Sequence, residues 1–231
     1  SASDLTARRP EGLETPAYEV LERRELPSKS TVVEIRSYRP YSVCAVSMAA
    51  ASKRVVPEEA SAKISSPELK GASSFGALAG YLFGKNDRST AMKMTTPVIT
   101  TQGDGGGDGD DDENDDENGS SSTMAFVLPS EYWGKGNLEK APLPLPDSGV
   151  TLEERDGEVR AVLMFGGYAT RKEATKRGEE LTSALDRGGA GYWKPAIDGE
   201  VPSLAQYNDP FTVPWKRLNE VSVRVVAEMK P

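Results

Sequence analysis

The sequence contains no histidine and a single cysteine, Cys44. These absences exclude a Cys/His zinc site and an internal disulfide, and the lone cysteine is typical of a reducing compartment such as cytosol, nucleus or plastid stroma. No stretch approaches the roughly 20 apolar residues that a membrane-spanning helix needs. We therefore expect a chain that is soluble or at most peripheral on a membrane.

Acidic charge is concentrated in one segment. The formal net charge is −8, but nine acidic residues and no basic one lie between Asp104 and Glu117. Without those nine, 28 basic residues face 27 acidic ones, so the remainder is close to neutral and indicates no nucleic-acid partner. Self-repulsion predicts that residues 103–122 form a disordered acidic loop insert.

No metal site or catalytic constellation is predicted. Asp108, Asp110 and Asp112 have the spacing of a calcium-binding loop, but Glu113 and Gly119 stand where that loop needs glycine and glutamate. No nucleophile–base pair, paired catalytic carboxylates or phosphate-binding glycine loop can be identified.

The first half predicts a polar arm, a hairpin, a helix and further strands. Residues 1–16 are the arm. Thr31 to Tyr38 alternates apolar Val33 and Ile35 inward with Glu34 and Arg36 outward, and Tyr41 to Met48 is a second strand after an Arg39-Pro40 turn. A helix is predicted over 73–83 and ends at Gly84, and strands follow at Lys93–Thr101 and Thr123–Leu128 on either side of the insert.

The second half repeats this order. Strands at 150–155 and 159–165 flank an Asp156-Gly157 turn and are predicted to form a hairpin. Thr170 and Glu173 form a capping box that opens a helix to about Arg187, with Leu181 and Leu185 on its buried face, and a last strand covers 219–229. The weak hairpin–helix–strand repeat predicts an α+β fold of two pseudo-symmetric halves, forming a distorted antiparallel β-barrel flanked by two helices.

Several sequence motifs, in their order and spacing, resemble the SOUL/heme-binding protein family. The resemblance is to plant or algal members of SOUL type, which are expected to be organellar. The motifs are Lys93-Met94-Thr95-Thr96-Pro97-Val98, Met124-Ala125-Phe126-Val127-Leu128-Pro129, Phe165-Gly166-Gly167-Tyr168, Tyr207-Asn208-Asp209-Pro210, and Pro214-Trp215 followed by Arg217-Leu218-Asn219-Glu220-Val221. The resemblance covers about residues 17–227, and we expect one domain over 17–229. It implies binding of heme or a related tetrapyrrole in a shallow hydrophobic groove beside the first helix.

The resemblance also suggests the residues of that groove. The first helix is expected to supply an apolar wall, formed by Phe75, Leu78, Ala79 and Leu82. Basic side chains are expected to pair with the propionates, and the candidates are Lys85, Arg88, Lys93, Lys216 and Arg217. Met94 is a further candidate for contact with the ring. Each apolar residue has the alternative role of core packing, and each basic one that of a solvated surface charge. Basic residues of one relative align with Ala72, Gly80 and Val213, so those contacts are absent here.

Without histidine the commonest axial heme ligand is missing. Met92, Met94, Tyr81, Cys44 or a lysine are alternative ligands, and a groove that holds porphyrin by its faces and propionates is the simpler interpretation. Core packing is favoured for both methionines, which are expected to share one face of a strand, and for Cys44.

Three functions follow as hypotheses. The first is carriage, buffering or sensing of heme; the second is an enzyme that removes the metal from a bound tetrapyrrole or opens its ring. The third is a ligand-free module that binds protein or lipid on the same fold, for which the Pro-rich segment 142–146 offers a docking strip or a rigid connector. The resemblance and the small residues at the start predict a chloroplast location, with plastoglobule, lipid-droplet or membrane association, against a cytoplasmic alternative.

Overall fold

A computed structural model of the chain describes residues 8–26, 31–48, 67–102, 122–186, 193–209 and 211–228. The predicted arm is therefore described from Arg8 onward. Nearly all of the predicted acidic insert, residues 103–121, lies outside the described residues, as does the rejected calcium-binding pattern within it.

The described residues form ten strands and two α-helices, which confirms the α+β class. Three short 3-10 helices cover Ser130–Tyr132, Leu138–Lys140 and Pro214–Lys216. The helices and strands are β1 (Tyr18–Leu26), β2 (Thr31–Tyr38), β3 (Tyr41–Ser47), α1 (Pro67–Leu82), β4 (Val98–Thr101), β5 (Thr123–Val127), β6 (Val150–Arg155), β7 (Val159–Gly166), α2 (Arg171–Asp186), β8 (Trp193–Pro195), β9 (Ser203–Gln206) and β10 (Leu218–Ala227).

The chain divides into two compact units, each with one α-helix and antiparallel strands, as the internal repeat predicted. The first unit comprises residues 1–40, 96–99 and 156–231, and the second comprises 41–95 and 100–155. In the first unit the strand order is β1-β2-β7-β10-β9, with β8 also paired to β10. In the second unit β3 lies between β5 and β6.

Both predicted hairpins are wrong. β2 pairs with β1 and β7, whereas β3 pairs with β5 and β6, so the chain changes units at Pro40 and again at Asp156. The Tyr38 N–H donates to the Glu158 carbonyl at 2.8 Å, and a Cβ on Gly157 would lie only 2.9 Å from the Tyr38 carbonyl oxygen. Gly157 thus permits close approach of two distant segments and does not form a hairpin turn.

The predicted strand 93–101 is also corrected. β4 begins only at Val98, because the preceding residues use side chains instead of a backbone ladder. The Thr95 hydroxyl donates to the Val127 carbonyl, and the Thr96 hydroxyl donates to the Tyr207 carbonyl at 2.9 Å. Met92 and Met94 therefore do not share a strand face: Met92 is buried and Met94 is half-buried.

Helix α2 confirms its predicted cap and buried face. The Glu173 N–H donates to the Thr170 hydroxyl oxygen at 3.2 Å, which satisfies one of the free donors at the helix start. Leu181 and Leu185 are buried in the core of the first unit, together with residues of β2, β7 and β10: Val33, Ile35, Ala161, Leu163, Phe165, Val221, Val223 and Val225.

The other face of β2 is not exposed to solvent as predicted. Glu34 is 4% exposed and Arg36 is 1% exposed, because further charged and aromatic side chains of the first unit cover them. Arg36 donates from Nε to Glu34 at 2.8 Å and from Nη1 to Glu220 at 2.9 Å. The Arg36 guanidinium also lies 4.4 Å from the centre of the Tyr18 ring.

Glu220, on β10, is the acceptor at the centre of this polar core. Its carboxylate accepts hydrogen bonds from the Tyr207 hydroxyl at 2.7 Å and from Arg9 of the N-terminal arm at 3.2 Å. Burial lowers the pKa of Arg36, but Glu220, Tyr38 and Tyr18 together more than offset this effect, and the pKa is raised. Burial, reinforced by Glu220, raises the pKa of Tyr38 to about 12 and that of Tyr207 well above its usual range.

Replacement of Glu220 by alanine removes one of the two carboxylates that pair with the buried Arg36, and it leaves the Tyr207 hydroxyl and Arg9 without this acceptor. We expect the free energy of unfolding to fall by about 3–5 kcal/mol, measured by urea denaturation. Glu228→Ala is the control, because Glu228 pairs with Lys194 at 3.6 Å on the surface, and it should change stability by less than about 0.5 kcal/mol. Equal effects of the two substitutions would show that the polar core is not structurally important.

The raised tyrosine pKa values predict a loss of stability at alkaline pH. Tyr38 titrates near pH 10 in the unfolded chain and at about 12 in the folded one, so its contribution is complete below about pH 10 and disappears as the pH rises through 12. Unfolding free energies measured between about pH 9 and pH 11 should decrease. Tyr207→Phe should flatten this dependence, and an unchanged slope in that variant would contradict the assignment.

Candidate functional site

Helix α1, which carries the predicted apolar wall, has one face in the core of the second unit. Leu78 and Leu82 are fully buried, and so is Tyr81, whose hydroxyl donates to the Pro142 carbonyl at 2.7 Å. Of the four predicted wall residues, only Phe75 and Ala79 therefore reach the surface, with Phe75 at 37% exposure and Ala79 half-buried. Leu78 and Leu82 lie behind them and support the helix.

From Ala72 to its last residue, Leu82, α1 has no charged residue. The residues of its outer side recur at helical spacing, and we call them the outer face: Ala72, Phe75, Gly76, Ala79, Gly80 and Phe83. The Phe83 N–H still donates to the Ala79 carbonyl at 2.9 Å, so the helical geometry extends to Phe83, which is 60% exposed. The two phenylalanines are eight residues apart, about 12 Å along the axis.

The surface between the two phenylalanines is flat. A Cβ on Gly76 would meet no atom within 4 Å, so this position faces open space. Phe75 is held by an edge-on contact with the buried Phe126 ring, with the ring centres 5.1 Å apart. The sequence pattern that placed Leu78 and Leu82 on a binding wall had selected the core side of the helix.

Basic side chains flank the end of this face. The Lys85 N–H donates to the Gly80 carbonyl at 2.8 Å, and the Lys85 side chain passes over Gly80, where a Cβ would lie 3.1 Å from Cδ. Lys85 therefore brings a cation over a position that carries no side chain of its own. Arg88 is exposed and donates to the Lys140 carbonyl at 2.9 Å, and Lys93 is exposed as well.

Asn86, which the sequence analysis did not identify, organises the turn that carries these cations. Its side-chain amide donates to the carbonyls of Tyr81 and Thr90, and its oxygen accepts from the N–H groups of Arg88 and Thr90. Asn86 is buried, so these bonds are shielded from water. An asparagine directly after a glycine-terminated helix is the signal that could have identified it.

The remaining predicted residues lie elsewhere. Met94 is half-buried in the second unit. Lys216 and Arg217 belong to the first unit, where Lys216 is exposed and Arg217 donates from Nε to the Thr212 carbonyl at 2.7 Å. The described structure thus brings Phe75, Ala79 and Lys85 together on one surface, with Arg88 on the turn that follows.

The oxygen and sulfur groups near α1 are poor metal ligands. Cys44 is fully buried, as predicted, and burial raises the pKa of its thiol to about 12, so the thiol is protonated at neutral pH. Burial likewise raises the pKa of Tyr81. Among the described residues, no group of three or more Cys, Asp or Glu side chains is arranged to hold a metal ion. Within the same residues, neither α1 nor α2 has the length and hydrophobicity of a membrane-spanning helix.

Comparison with solved structures shows similarity at the level of the fold. An uncharacterized conserved protein from Listeria innocua superposes with a TM-score of 0.50 at 12% identity, covering 84% of this chain and 91% of that one. A hydrolase from Listeria innocua gives a TM-score of 0.47 at 13% identity with the same coverage. No curated protein is a significant match to the sequence.

The sequence matches one family model over almost its whole length. That model is described as SOUL heme-binding protein, and it matches residues 13–224, which include both helices and nearly all of the strands. The chain belongs to the SOUL heme-binding protein family.

Proposed function

We propose that this protein binds heme non-covalently on the outer face of α1, without an axial histidine, and that it carries or buffers the bound heme. Heme is the cofactor that the family implies. The observation that carries the proposed location is an exposed, uncharged helix face bounded by Phe75 and Phe83.

The shape and chemistry of the outer face suit a porphyrin. A porphyrin is a flat apolar ring, and Gly76 and Ala79 offer it a surface without large side chains, next to the Lys85 stem that covers Gly80. Removal of apolar surface from water contributes about 25 cal/mol per Å². Phe75 and Phe83 can add edge or stacking contacts at the two ends of the ring.

Lys85 and Arg88 are the groups proposed to pair with the propionates. Both are exposed and lie just beyond the C-terminal end of α1, and Lys85 reaches back over Gly80. Exposed ion pairs of this kind contribute at most about 1 kcal/mol each. The propionate contacts therefore orient the ring, and the apolar face supplies most of the affinity.

The iron has no strong ligand among the groups considered. Histidine is absent, Cys44 and Tyr81 are buried and protonated, Met92 is buried, Met94 is half-buried, and the exposed Lys85 is assigned here to the propionates. Heme bound here would keep its redox-active iron weakly ligated. Weak ligation favours exchange of the ring, which supports carriage or buffering over a permanent prosthetic group.

The first test is a hemin titration that compares two substitutions at one open position. Wild-type protein should show saturable 1:1 binding with a shifted Soret band and quenching of Trp133, which lies in the second unit. Gly76→Glu should weaken hemin binding about tenfold or more, equivalent to about 1.4 kcal/mol, because it places a charge in the apolar face.

Gly76→Ala is the matched control. It should keep the wild-type affinity while it stabilises the helix by about 0.5–1 kcal/mol, since both substitutions remove the helix-destabilising glycine. Equal hemin affinities of the alanine and glutamate variants would contradict the proposed location. Conversion of the bound hemin to new products under reductant and oxygen, seen as a change in the absorption spectrum, would instead favour the enzyme hypothesis.

A second test addresses the propionates. Lys85→Met keeps the aliphatic stem over Gly80 and removes the charge, so hemin affinity at low salt should fall up to about fivefold. The dimethyl ester of hemin, which has no free carboxylates, should bind wild type and Lys85→Met equally. An equal loss of affinity for both ligands would show that Lys85 contributes by packing alone.

A further inference from the structure

Four large apolar side chains of the first unit are exposed together on two loops. Phe211 is 95% exposed, Trp215 65%, Tyr168 58% and Val213 38%. We call these four residues the aromatic loop patch. Such a group of exposed apolar residues is typical of an interaction surface, since soluble proteins seldom leave it uncovered.

Hydrogen bonds hold the two loops side by side. The Gly167 N–H donates to the Pro214 carbonyl at 3.1 Å, and the Asn219 side chain donates to the Gly167 carbonyl at 3.0 Å. The Arg217 guanidinium lies 4.7 Å from the centre of the Tyr168 ring. This contact links the loop after β7, which carries Tyr168, to the end of the loop before β10, which carries Phe211.

Asp209 shapes the tip that presents Phe211. Its carboxylate accepts hydrogen bonds from the Phe211 N–H and from the Thr212 hydroxyl, both at 2.8 Å. These bonds lower the pKa of Asp209. The bond from the Phe211 N–H to Asp209 holds the Phe211 backbone, so burial of the ring against a partner would require little reordering at this residue.

The charge around the patch is positive. The segments 167–172 and 211–217 contain four basic residues and no acidic one, and the carboxylate of the nearby Asp209 is engaged within its own turn. Three of the four are exposed, and the fourth, Arg217, is half-buried. The four basic residues are Arg171, Lys172, Lys216 and Arg217.

We propose that the aromatic loop patch anchors the protein to an anionic lipid bilayer surface. Tryptophan and tyrosine side chains prefer the headgroup level of a bilayer, and lysine and arginine beside them pair with anionic lipids. Projecting aromatic side chains with basic residues beside them suit a bilayer surface better than they suit the recessed apolar pockets of protein partners. This proposal rests on the exposure and charge of the patch alone, and the hemin affinity of the patch variants tests whether it is independent of heme binding.

Vesicle co-sedimentation of the full chain tests the anchor. The protein should bind phosphatidylcholine vesicles that contain phosphatidylglycerol, and it should bind pure phosphatidylcholine at least several-fold more weakly. Phe211→Ser and Trp215→Ser should each reduce partitioning about tenfold. Lys216→Glu should reduce binding by a similar factor on the anionic vesicles only.

Ile197→Ser is the matched control. Ile197 is 50% exposed in the same unit, but it follows β8, which pairs with the end of β10 distant from Leu218, about 23 Å away along the strand. This variant should keep wild-type partitioning, and Phe211→Ser should keep wild-type hemin affinity. The proposal is overturned if wild-type protein does not bind the anionic vesicles, if Ile197→Ser reduces binding as much as Phe211→Ser, or if the patch variants instead abolish a dimer or hemin binding.

Discussion

The buried ion pair between Arg36 and Glu220 is the constraint on which the first unit depends. A shift of one residue in the register of β2 or β10 would move Arg36 or Glu220 to the opposite face and break this buried pair, at a cost of several kcal/mol. The pair therefore fixes which residues face α2. It also fixes the N-terminal arm through Arg9 and the segment after β9 through Tyr207, which precedes the aromatic loop patch.

In the second unit, the decisive feature is the unequal composition of the two sides of α1. Leu78, Tyr81 and Leu82 fill the core, and Phe75 adds an edge-on contact with Phe126 from the outer side. The core side therefore supplies most of the packing of the helix, and the outer face can be built from glycine, alanine and two phenylalanines. We infer that ligand affinity here is separable from stability, because substitutions such as those at Gly76 face open space.

Local sequence patterns predicted most of the helices and strands, but they did not predict which distant strands pair. The capping residues Thr170 and Glu173 and the alternation of Val221, Val223 and Val225 are local signals, and the structure confirms them. β2 pairs with β7 and β3 pairs with β5 and β6, all more than 70 residues away, so two convincing turn signals led to hairpins that do not exist.

The site was harder to predict for a related reason. Periodicity identifies the apolar stripe of a helix, and in α1 that stripe includes Leu78 and Leu82, which belong to the core. Similarly, alternation along β2 separated Val33 and Ile35 from Glu34 and Arg36, but it could not show that both faces are covered. The family resemblance directed attention to α1, whereas the exposed side of that helix became apparent only from burial in the structure.

Hydrogen–deuterium exchange with and without bound hemin can locate the ligand without altering the chain. We predict that hemin slows amide exchange in α1, with the change concentrated between Ala72 and Phe83 and in the following turn that carries Lys85. Protection confined to the segments 167–172 and 211–217, with α1 unchanged, would contradict this prediction.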